Sequence, residues 1–180
     1  YHLEYGYSTM GYEIAGGLGV KLARPADEVV VMVGDGSYMM ANSELSTAVM
    51  MGLRLTVVVL DNRGFGCINR LQMATGGENF NNLFEDVHKD AMPEIDFTGH
   101  ASALGAHAQK VAGISELEAA LAEARKRGGV NVVVIDTDPL VTTEAGGHWW
   151  DVAVPEVSER ADVRAKRAEY EERIKGQRIW

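Results

Sequence analysis

Two short polar loops, each following a run of apolar residues, hold the side chains of this chain that are best suited to chemistry. Asp35 lies in the Gly34–Ser37 loop, and Asn62 lies in the Asp61–Gly66 loop. A carboxylate, an amide oxygen and the backbone carbonyl of Gly64 are the hard oxygen donors that Mg²⁺ prefers, commonly completed by phosphate oxygens. Because open α/β sheets bind ligands at the carboxyl ends of their strands, the two loops predict one site for Mg²⁺ and a phosphorylated ligand.

The glycines of both loops favour a diphosphate as that ligand. Gly34 and Gly36 let the backbone approach phosphate oxygens without a side chain between them, and Gly64 and Gly66 give the same clearance in the second loop. The amides of Gly36 and Ser37 open the following helix, where N–H groups lack intrahelical partners and can donate to phosphate. Either loop alone is typical of an ordinary turn, so it is their combination that carries the prediction.

The elements that must position these loops form alternating strand and helix patterns. Nearly continuous β-branched runs are typical of strands covered on both faces of a parallel sheet, and helical spacing marks the segments between them. Strands are predicted at residues 29–33, 55–60 and 130–135, with a weaker one at 107–111, and helices at residues 10–22, 43–51 and 115–127. The pattern predicts an α/β fold, a doubly wound, mainly parallel sheet with helices on both faces.

Local signals add detail to this outline. Ser115 with Glu118 predicts a capping box at the third helix. Residues 63–95 form a long connection rich in glycine, asparagine and charge, typical of a lid or binding loop or otherwise of a disordered segment. Gly16–Gly19 lies within a helical pattern rather than after a strand, which argues against a dinucleotide-binding loop. A domain is expected over residues 1–154 and a C-terminal helical tail over residues 155–180, with its helix at Ala161–Ile174.

Composition excludes several classes of function. The 180 residues include 26 acidic and 17 basic side chains, a net charge of −9, without the basic cluster that nucleic-acid binding requires. No apolar run approaches the ~20 residues that span a bilayer. The single cysteine, Cys67, favours a reducing compartment, so a cytoplasmic location is expected. The chain begins without Met and directly in patterned sequence, which indicates a piece of a larger protein.

The motif from Gly34-Asp35-Gly36 to Asp61-Asn62 resembles the thiamine-diphosphate motif, which begins Gly-Asp-Gly and ends Asn-Asn. The resemblance implies the diphosphate-binding domain of a thiamine-diphosphate-dependent enzyme, with thiamine diphosphate and Mg²⁺ as cofactors. It also implies Asp35, Asn62 and the Gly64 carbonyl as the metal ligands. The family's first Asn is Asp61 here, a departure at the residue that precedes the ligand.

A segment near the start of the chain is similar to the part of the same family that faces the aminopyrimidine ring of the cofactor. Ser8-Thr9-Met10-Gly11 precedes a helix rich in glycine and alanine. The resemblance implies that Met10 props the cofactor in its bent shape and that the Ser8 carbonyl accepts from the 4′-amino group. The cofactor-binding residues expected in all are Ser8, Thr9, Met10, Gly34, Gly36, Ser37, Asn62, Gly64, Phe65 and Gly66.

Further motifs resemble the trihydroxycyclohexane-1,2-dione hydrolase family of inositol catabolism. They are Tyr1–Ser8, Phe65–Asn69, Leu71–Met73 and His148–Trp150. The implied reaction is hydrolytic cleavage of the bond between the two carbonyl carbons of a cyclic polyol dione, with the cofactor supplying the difficult chemistry. Ile68 stands where certain decarboxylases of the superfamily carry a Glu, which disfavours decarboxylation with that proton donor.

The resemblance places the glutamate that activates the cofactor outside this chain. In the family it lies on a pyrimidine-binding domain, contributed across a subunit interface, so a homo-oligomer is expected. No catalytic residue is therefore expected on this chain, which alone is predicted not to turn over substrate.

Three alternative functions remain open. An acetolactate-synthase-like carboligase would keep the fold and the cofactor, and a non-catalytic binding module would keep the fold alone. A Mg²⁺-dependent phosphoryl-transfer enzyme would use Asp35 as its nucleophile.

Other reactive side chains carry weaker expectations. Cys67 is expected to be a small buried thiol, and His100 and His107 to stabilise the structure, while the remaining histidines are left open. Trp149 and Trp150 are expected to pack the tail onto the domain or to line a pocket or interface.

Overall fold

The computed structural model of the chain describes residues 1–3, 7–92, 94–141 and 151–177. Two compact units divide the chain: the first comprises Tyr1–Gly64 and Pro93–Thr137, and the second comprises Phe65–Met92 and Asp138–Trp180. The domain boundary expected between residues 154 and 155 stays a prediction.

Four parallel strands form the sheet of the first unit. They are β1 (Val30–Gly34), β2 (Leu55–Asp61), β3 (His107–Val111) and β4 (Val130–Asp136), arranged in the order β1-β2-β4-β3. Every neighbouring pair is parallel, with Val33 opposite Val59 and Asp61 opposite Asp136. All four predicted strands are confirmed, including the weaker one at residues 107–111.

Helices of the first unit cover both faces of this sheet. The helices of the described residues, in both units, are α1 (Tyr12–Ala23), α2 (Asp35–Met40), α3 (Glu44–Met50), α4 (Gly66–Ala74), α5 (Phe97–Ala103), α6 (Ile114–Arg127) and α7 (Ala161–Ile174). Alternate residues of the central strands enter two cores: Val57 and Val59 share one with α1, α3 and α5, and Val58 and Val133 share the other with α6. The chain reverses its direction along the sheet between β3 and β4, and right-handed crossovers then place α6 on the opposite face. The doubly wound α/β fold is confirmed.

Helix α1 packs closely on the sheet through its glycines. A Cβ at Gly17 would overlap Cγ2 of Val31 on β1, so only glycine permits this approach. Gly16–Gly19 lies wholly inside α1, which confirms the helical pattern predicted for this stretch.

Two details of the helices differ from the sequence-based expectation. The spacing of the two loops fits one helix and one strand between them, but residues 37–60 contain the end of α2 and all of α3. The Asn42 side chain donates to the carbonyl of Tyr38 (3.0 Å) and closes α2 early. The expected Ser115 cap is wrong: α6 begins at Ile114, and the Glu116 carboxylate accepts from the N–H of Ala112 instead (2.9 Å).

The second unit contains α4, a 3₁₀ turn at Phe84–Asp86 and α7. Helix α7 occupies the predicted range, whereas α4 lies in residues expected to form a loop. Side-chain amides hold this region together: Asn69 donates to Asn79 (2.8 Å) and Asn82 donates to Gln72 (2.6 Å). Among the helices described, none is long and apolar enough to cross a membrane.

Candidate functional site

Asp35 is a buried carboxylate at the carboxyl end of the edge strand β1. It is the first residue of α2, with Gly34 in extended conformation as the N-cap, and only 3% of it is exposed. Residues in the first turn of a helix have N–H groups without intrahelical partners. The predicted phosphate donors Gly36 and Ser37 lie in this turn, so the structure places their amides beside Asp35.

The carboxylate of Asp35 accepts two hydrogen bonds from the loop that follows β2, and these two bonds are called the Asp35 clasp. Its Oδ2 accepts the N–H of Gly64 (2.8 Å), and its Oδ1 accepts the N–H of Asn62 (3.3 Å). The parallel pairing of β1 with β2 brings these loops to the same edge of the sheet. The structure therefore brings together the three residues predicted as metal ligands.

The loop after β2 is shaped so that two of its amides face Asp35. The carboxylate of Asp61 accepts the N–H of Arg63 (3.0 Å), which is a local turn that aspartate and asparagine favour. Arg63 has a φ of 59° and Gly64 a φ of 150°. The second value is one that side chains rarely adopt, so glycine at residue 64 is a requirement of the backbone.

Burial raises the pKa of Asp35 above its ordinary value of 3.8, and the negative charge of Asp61 raises it further. The N–H groups of Gly64 and Asn62 act in the opposite direction, since they stabilise the ionised form. A cation beside this carboxylate would favour ionisation in the same way. The charge is thus placed where a metal ion would compensate the cost of its burial.

The donor set at this edge fits Mg²⁺. Each Asp35 oxygen accepts one N–H and can accept a second bond, and the Asn62 side chain and the Gly64 carbonyl add two neutral oxygens. No group of three or more His, Cys, Asp or Glu side chains within the described ranges could hold a metal ion. A site here would therefore combine one carboxylate with neutral oxygens and ligand phosphates, as Mg²⁺ sites commonly do.

Gly34 leaves space beside the carboxylate. A Cβ built at this residue would meet no atom within 4 Å, and its φ of −72° is accessible to any residue. The absent side chain is therefore not required by packing or by backbone geometry. Glycine at residue 34 therefore leaves room for a ligand against the backbone.

The segment predicted to face the aminopyrimidine ring is much less enclosed. Ser8 and Thr9 are exposed and Met10 is half-buried. Gly11, with a φ of 87°, caps α1, and a Cβ there would lie 3.2 Å from Cβ of Ala41. This close approach fixes the end of the segment next to the end of α2, while the roles implied for Ser8, Thr9 and Met10 stay predictions.

Phe65 and Gly66 belong to the second unit. The Phe65 N–H donates to the carbonyl of Asn82 (2.7 Å), and α4 begins at Gly66, which is buried. Their place in a cofactor site stays a prediction.

Cys67 is exposed on α4, so the expectation of a buried thiol is wrong. As the second residue of a short helix, its side chain points away from the buried residues Gly66 and Asn69. Ile68 is also exposed. His148, Trp149 and Trp150 lie outside the described residues.

Tyr38 and His100 form a contact that the sequence patterns did not predict. The hydroxyl of Tyr38 lies 2.9 Å from Nδ1 of His100, which agrees with the structural role expected for that histidine. The available signal was the position of Tyr38, three residues after Asp35 and hence on the same face of a helix.

Comparison with known proteins gives a family match over most of the chain. Residues 1–135 match the family described as thiamine pyrophosphate enzyme, C-terminal TPP binding domain. This range includes both strand-end loops and the Ser8–Met10 segment.

Curated relatives give a narrower similarity. The chain is 43% identical over 171 residues to 3D-(3,5/4)-trihydroxycyclohexane-1,2-dione hydrolase 2 of Bacillus cereus, covering 92% of the chain and 27% of the relative. It is 41% identical over 181 residues to 3D-(3,5/4)-trihydroxycyclohexane-1,2-dione hydrolase of Geobacillus thermodenitrificans, covering 97% and 28%. The chain therefore spans about a quarter of the length of these relatives.

Among solved structures, the thiamine diphosphate-dependent 4-hydroxybenzoylformate decarboxylase of Rhodococcus jostii RHA1 has the same fold. The TM-score is 0.62 at 22% identity, covering 72% of this chain and 23% of the other. At this identity the similarity bears on the fold alone.

Proposed function

Because the chain belongs to the thiamine pyrophosphate enzyme C-terminal TPP-binding domain family, we propose that Asp35, Asn62 and Gly64 bind Mg²⁺ and, with it, the diphosphate of thiamine diphosphate. The observation that carries this proposal is the clasp between Asp35 and the loop after β2, which joins a buried carboxylate to Asn62 and Gly64. In this role Asp35 supplies the negative charge and the other two residues supply neutral oxygens.

The surroundings of the clasp support a diphosphate as the second ligand. Open space beside Gly34 lets a phosphate group approach the backbone, and the amides of Gly36 and Ser37 lie in the first turn of α2. Donors of this kind complement phosphate oxygens that the metal does not neutralise. A covalent aspartyl phosphate, by contrast, would need an accessible carboxylate, and Asp35 is buried.

We propose further that the parent enzyme hydrolyses the C–C bond between the two carbonyl groups of trihydroxycyclohexane-1,2-dione, a step of inositol catabolism. The names of relatives that are 41–43% identical over more than nine-tenths of this chain support the proposal. Thiamine diphosphate, when bound, supplies the carbanion that such bond cleavage needs. The residues of this chain bind and orient the diphosphate end of the cofactor and hold its metal.

The rest of the catalytic apparatus is proposed to lie outside these 180 residues. The chain spans about a quarter of its curated relatives, and the glutamate that activates the cofactor is expected on a pyrimidine-binding domain of the same or a neighbouring subunit. The isolated chain is therefore expected to be inactive. We also expect that the active form is a homo-oligomer and that it is located in the cytoplasm.

Calorimetric titration with thiamine diphosphate, with and without Mg²⁺, tests the cofactor site. It is run on the full-length gene product and its Asp35→Ala variant. The matched control is Asp136→Ala, which removes an exposed carboxylate at the same end of β4 that pairs with Lys110. We expect Mg²⁺-dependent binding that Asp35→Ala abolishes and Asp136→Ala leaves unchanged. Binding that is absent in the full-length product, or that survives Asp35→Ala, would overturn the proposal.

A product assay separates the proposed hydrolase from a carboligase. The same full-length protein is incubated with the cyclic dione and, separately, with pyruvate. Ring opening of the dione is the expected result, and acetolactate formation from pyruvate without ring opening would contradict the proposed reaction while leaving the cofactor site intact.

A further inference from the structure

Tyr38 is the largest side chain that α2 buries, and it lies one turn after Asp35. It is 0% exposed, and the other buried residues of α2 are Asp35 and Ser37. Residues three apart lie on the same face of a helix. The surface that buries Tyr38 therefore also sets the direction in which the Asp35 carboxylate points.

Helix α2 cannot fix its own position. It has six residues, and helices shorter than roughly 12–15 residues are marginal in isolation, so tertiary contacts must determine where it lies. Its amino end is tied by the Asp35 clasp, and its carboxyl end by the bond from Asn42 to the Tyr38 carbonyl. Between them, the Tyr38 side chain is buried in the core cluster that also contains Phe97 of α5.

The Tyr38 side chain packs on α5. The Tyr38 ring meets Phe97 edge-on, with centroids 5.5 Å apart, and meets the His100 ring at 5.6 Å. Helix α5 is itself well fixed, since Phe97 and Ala101 are buried and Asp96 caps it by accepting the N–H of Gly99 (2.8 Å). It provides a firm surface against which α2 can be aligned.

The hydroxyl of Tyr38 adds direction to this packing. Burial raises the pKa of Tyr38 to about 12, so the hydroxyl keeps its proton and can donate to Nδ1 of His100 at 2.9 Å in the tautomer that leaves this nitrogen without a proton. A phenylalanine would fill the same space without this bond. A buried hydroxyl is unfavourable unless it is hydrogen-bonded. The Tyr38 hydroxyl therefore favours the one orientation of α2 in which it reaches Nδ1 of His100.

We propose that Tyr38 and His100 are a positioning pair for the cofactor site: their hydrogen bond aligns α2 on α5 and thereby holds Asp35 in the orientation that binds Mg²⁺ and diphosphate. The inference rests on the proposed function, because it assigns the pair an effect on cofactor affinity. Neither residue is proposed to touch the cofactor or the substrate.

Four variants of the full-length gene product test the pair, with affinity for thiamine diphosphate at saturating Mg²⁺ as the readout. Tyr38→Phe and His100→Ala each remove the hydrogen bond, and each is expected to weaken binding about fivefold, the worth of one typical hydrogen bond. His100→Asn places an amide close to the former Nδ1 and is expected to restore affinity to within about twofold. The double variant Tyr38→Phe/His100→Ala is expected to bind no more weakly than the weaker single variant, because both changes break the same bond.

A core variant on the other face of the sheet distinguishes positioning from general destabilisation. Val133→Ala removes two methyl groups beside α6, away from α2 and α5, and is expected to lower the free energy of unfolding without changing cofactor affinity. Urea unfolding of every variant allows affinities to be compared at matched stability.

Two results overturn the positioning role. One is an affinity of Tyr38→Phe within twofold of the unsubstituted protein, and the other is a loss in Val133→Ala equal to that in Tyr38→Phe. If Asp35→Ala abolishes binding while Tyr38→Phe does not alter it, the positioning role alone fails. If the unsubstituted protein does not bind the cofactor, the proposed function fails and the positioning role with it.

Discussion

At the diphosphate end of the candidate cofactor site, the carboxylate of Asp35 is buried and accepts two backbone N–H groups, whereas at the aminopyrimidine end Ser8 and Thr9 are exposed. The first end lies where two adjacent parallel strands terminate, so the register of β1 on β2 brings its residues together. The second end precedes α1 and is fixed at Gly11 by its close approach to Ala41.

If the proposed site is correct, the difference indicates which part of it this domain organises by itself. Strand pairing and the Asp35 clasp hold the proposed diphosphate end together within this chain, so binding at this end would require little further ordering. Ser8 and Thr9 are exposed within the part of the chain that the structure describes, and we propose that another domain covers this end.

The largest effect is expected from Asp35→Asn, which separates the charge of the clasp from its shape. Asparagine avoids burying a charge and can still accept one of the two N–H groups, but its NH₂ group leaves the other without an acceptor, so the free energy of unfolding should fall by no more than about 1–3 kcal/mol. Affinity for Mg²⁺ and thiamine diphosphate should fall by at least about 100-fold, since a metal ligand matters at least as much as its supporting groups. Calorimetry and urea unfolding on the same samples measure both; an affinity loss below tenfold would show that the diphosphate end does not depend on this charge.

A smaller effect, about tenfold in affinity, is expected from Gly34→Ala. The backbone of Gly34 accepts alanine and the new Cβ meets no protein atom, so stability should be unchanged or rise by about 0.4–1 kcal/mol. A weaker affinity would then show that the methyl group of alanine at residue 34 collides with the ligand. Gly19→Ala is the matched control, because its Cβ also enters open space but on α1; equal affinities for the two variants would mean that no ligand approaches Gly34.

The pH dependence of Asp35 provides a third test. The pKa of Asp35 in the folded state lies above the ordinary 3.8, so folding disfavours ionisation of this carboxyl. The protonated carboxyl therefore contributes to the free energy of unfolding at low pH, and this contribution is lost as the pH rises through the folded pKa. Asp61→Asn removes a charge that raises this pKa, so the loss should become smaller and shift to lower pH. Urea unfolding without cofactor, between about pH 4 and pH 8, measures it.

Asp136→Asn controls for the general effect of removing a carboxylate at this edge of the sheet. Asp35→Asn should abolish the part of the pH-dependent stability loss that Asp61→Asn only reduces. Cofactor affinity of Asp61→Asn should change by less than about threefold, because the effect on the metal is indirect. A pH profile identical in the unsubstituted protein and Asp61→Asn would remove Asp61 from the electrostatics of the site.

The strands and the site residues between them were predictable because their signals are local and strong. β-Branched runs at residues 55–60 and 130–135 are typical of strands buried on both faces, and the polar loops that follow them must meet at one edge of a parallel sheet. Asp35, Asn62 and Gly64 could therefore be placed together from spacing, aided by a resemblance to a known motif. Helix α7 was also predictable, since its charged helical pattern is uninterrupted.

Other features depended on contacts that no local pattern reveals. The early end of α2 follows from the bond between Asn42 and the Tyr38 carbonyl, and α4 lies in a polar stretch whose amides pair with one another. The contact of Tyr38 with His100 joins residues 62 positions apart. The start of α6 was misjudged because Glu116, one residue beyond Ser115, provides the side-chain acceptor.

The smallest effect is expected at the aminopyrimidine end, from Ser8→Gly. Ser8 has a φ of 51°, a conformation that costs a non-glycine residue about 1–2 kcal/mol. Ser8→Gly removes this cost, and the greater freedom of glycine in the unfolded chain offsets roughly 0.5–1 kcal/mol of the stability gained. The role implied for Ser8 belongs to its backbone carbonyl, which glycine retains, so cofactor affinity should change by less than about twofold. Asn81→Gly is the matched control, with a φ of 54° at a residue outside the candidate site. A tenfold change in affinity for Ser8→Gly alone would show that the exposed end governs binding within this chain, and the contrast between the two ends would no longer hold.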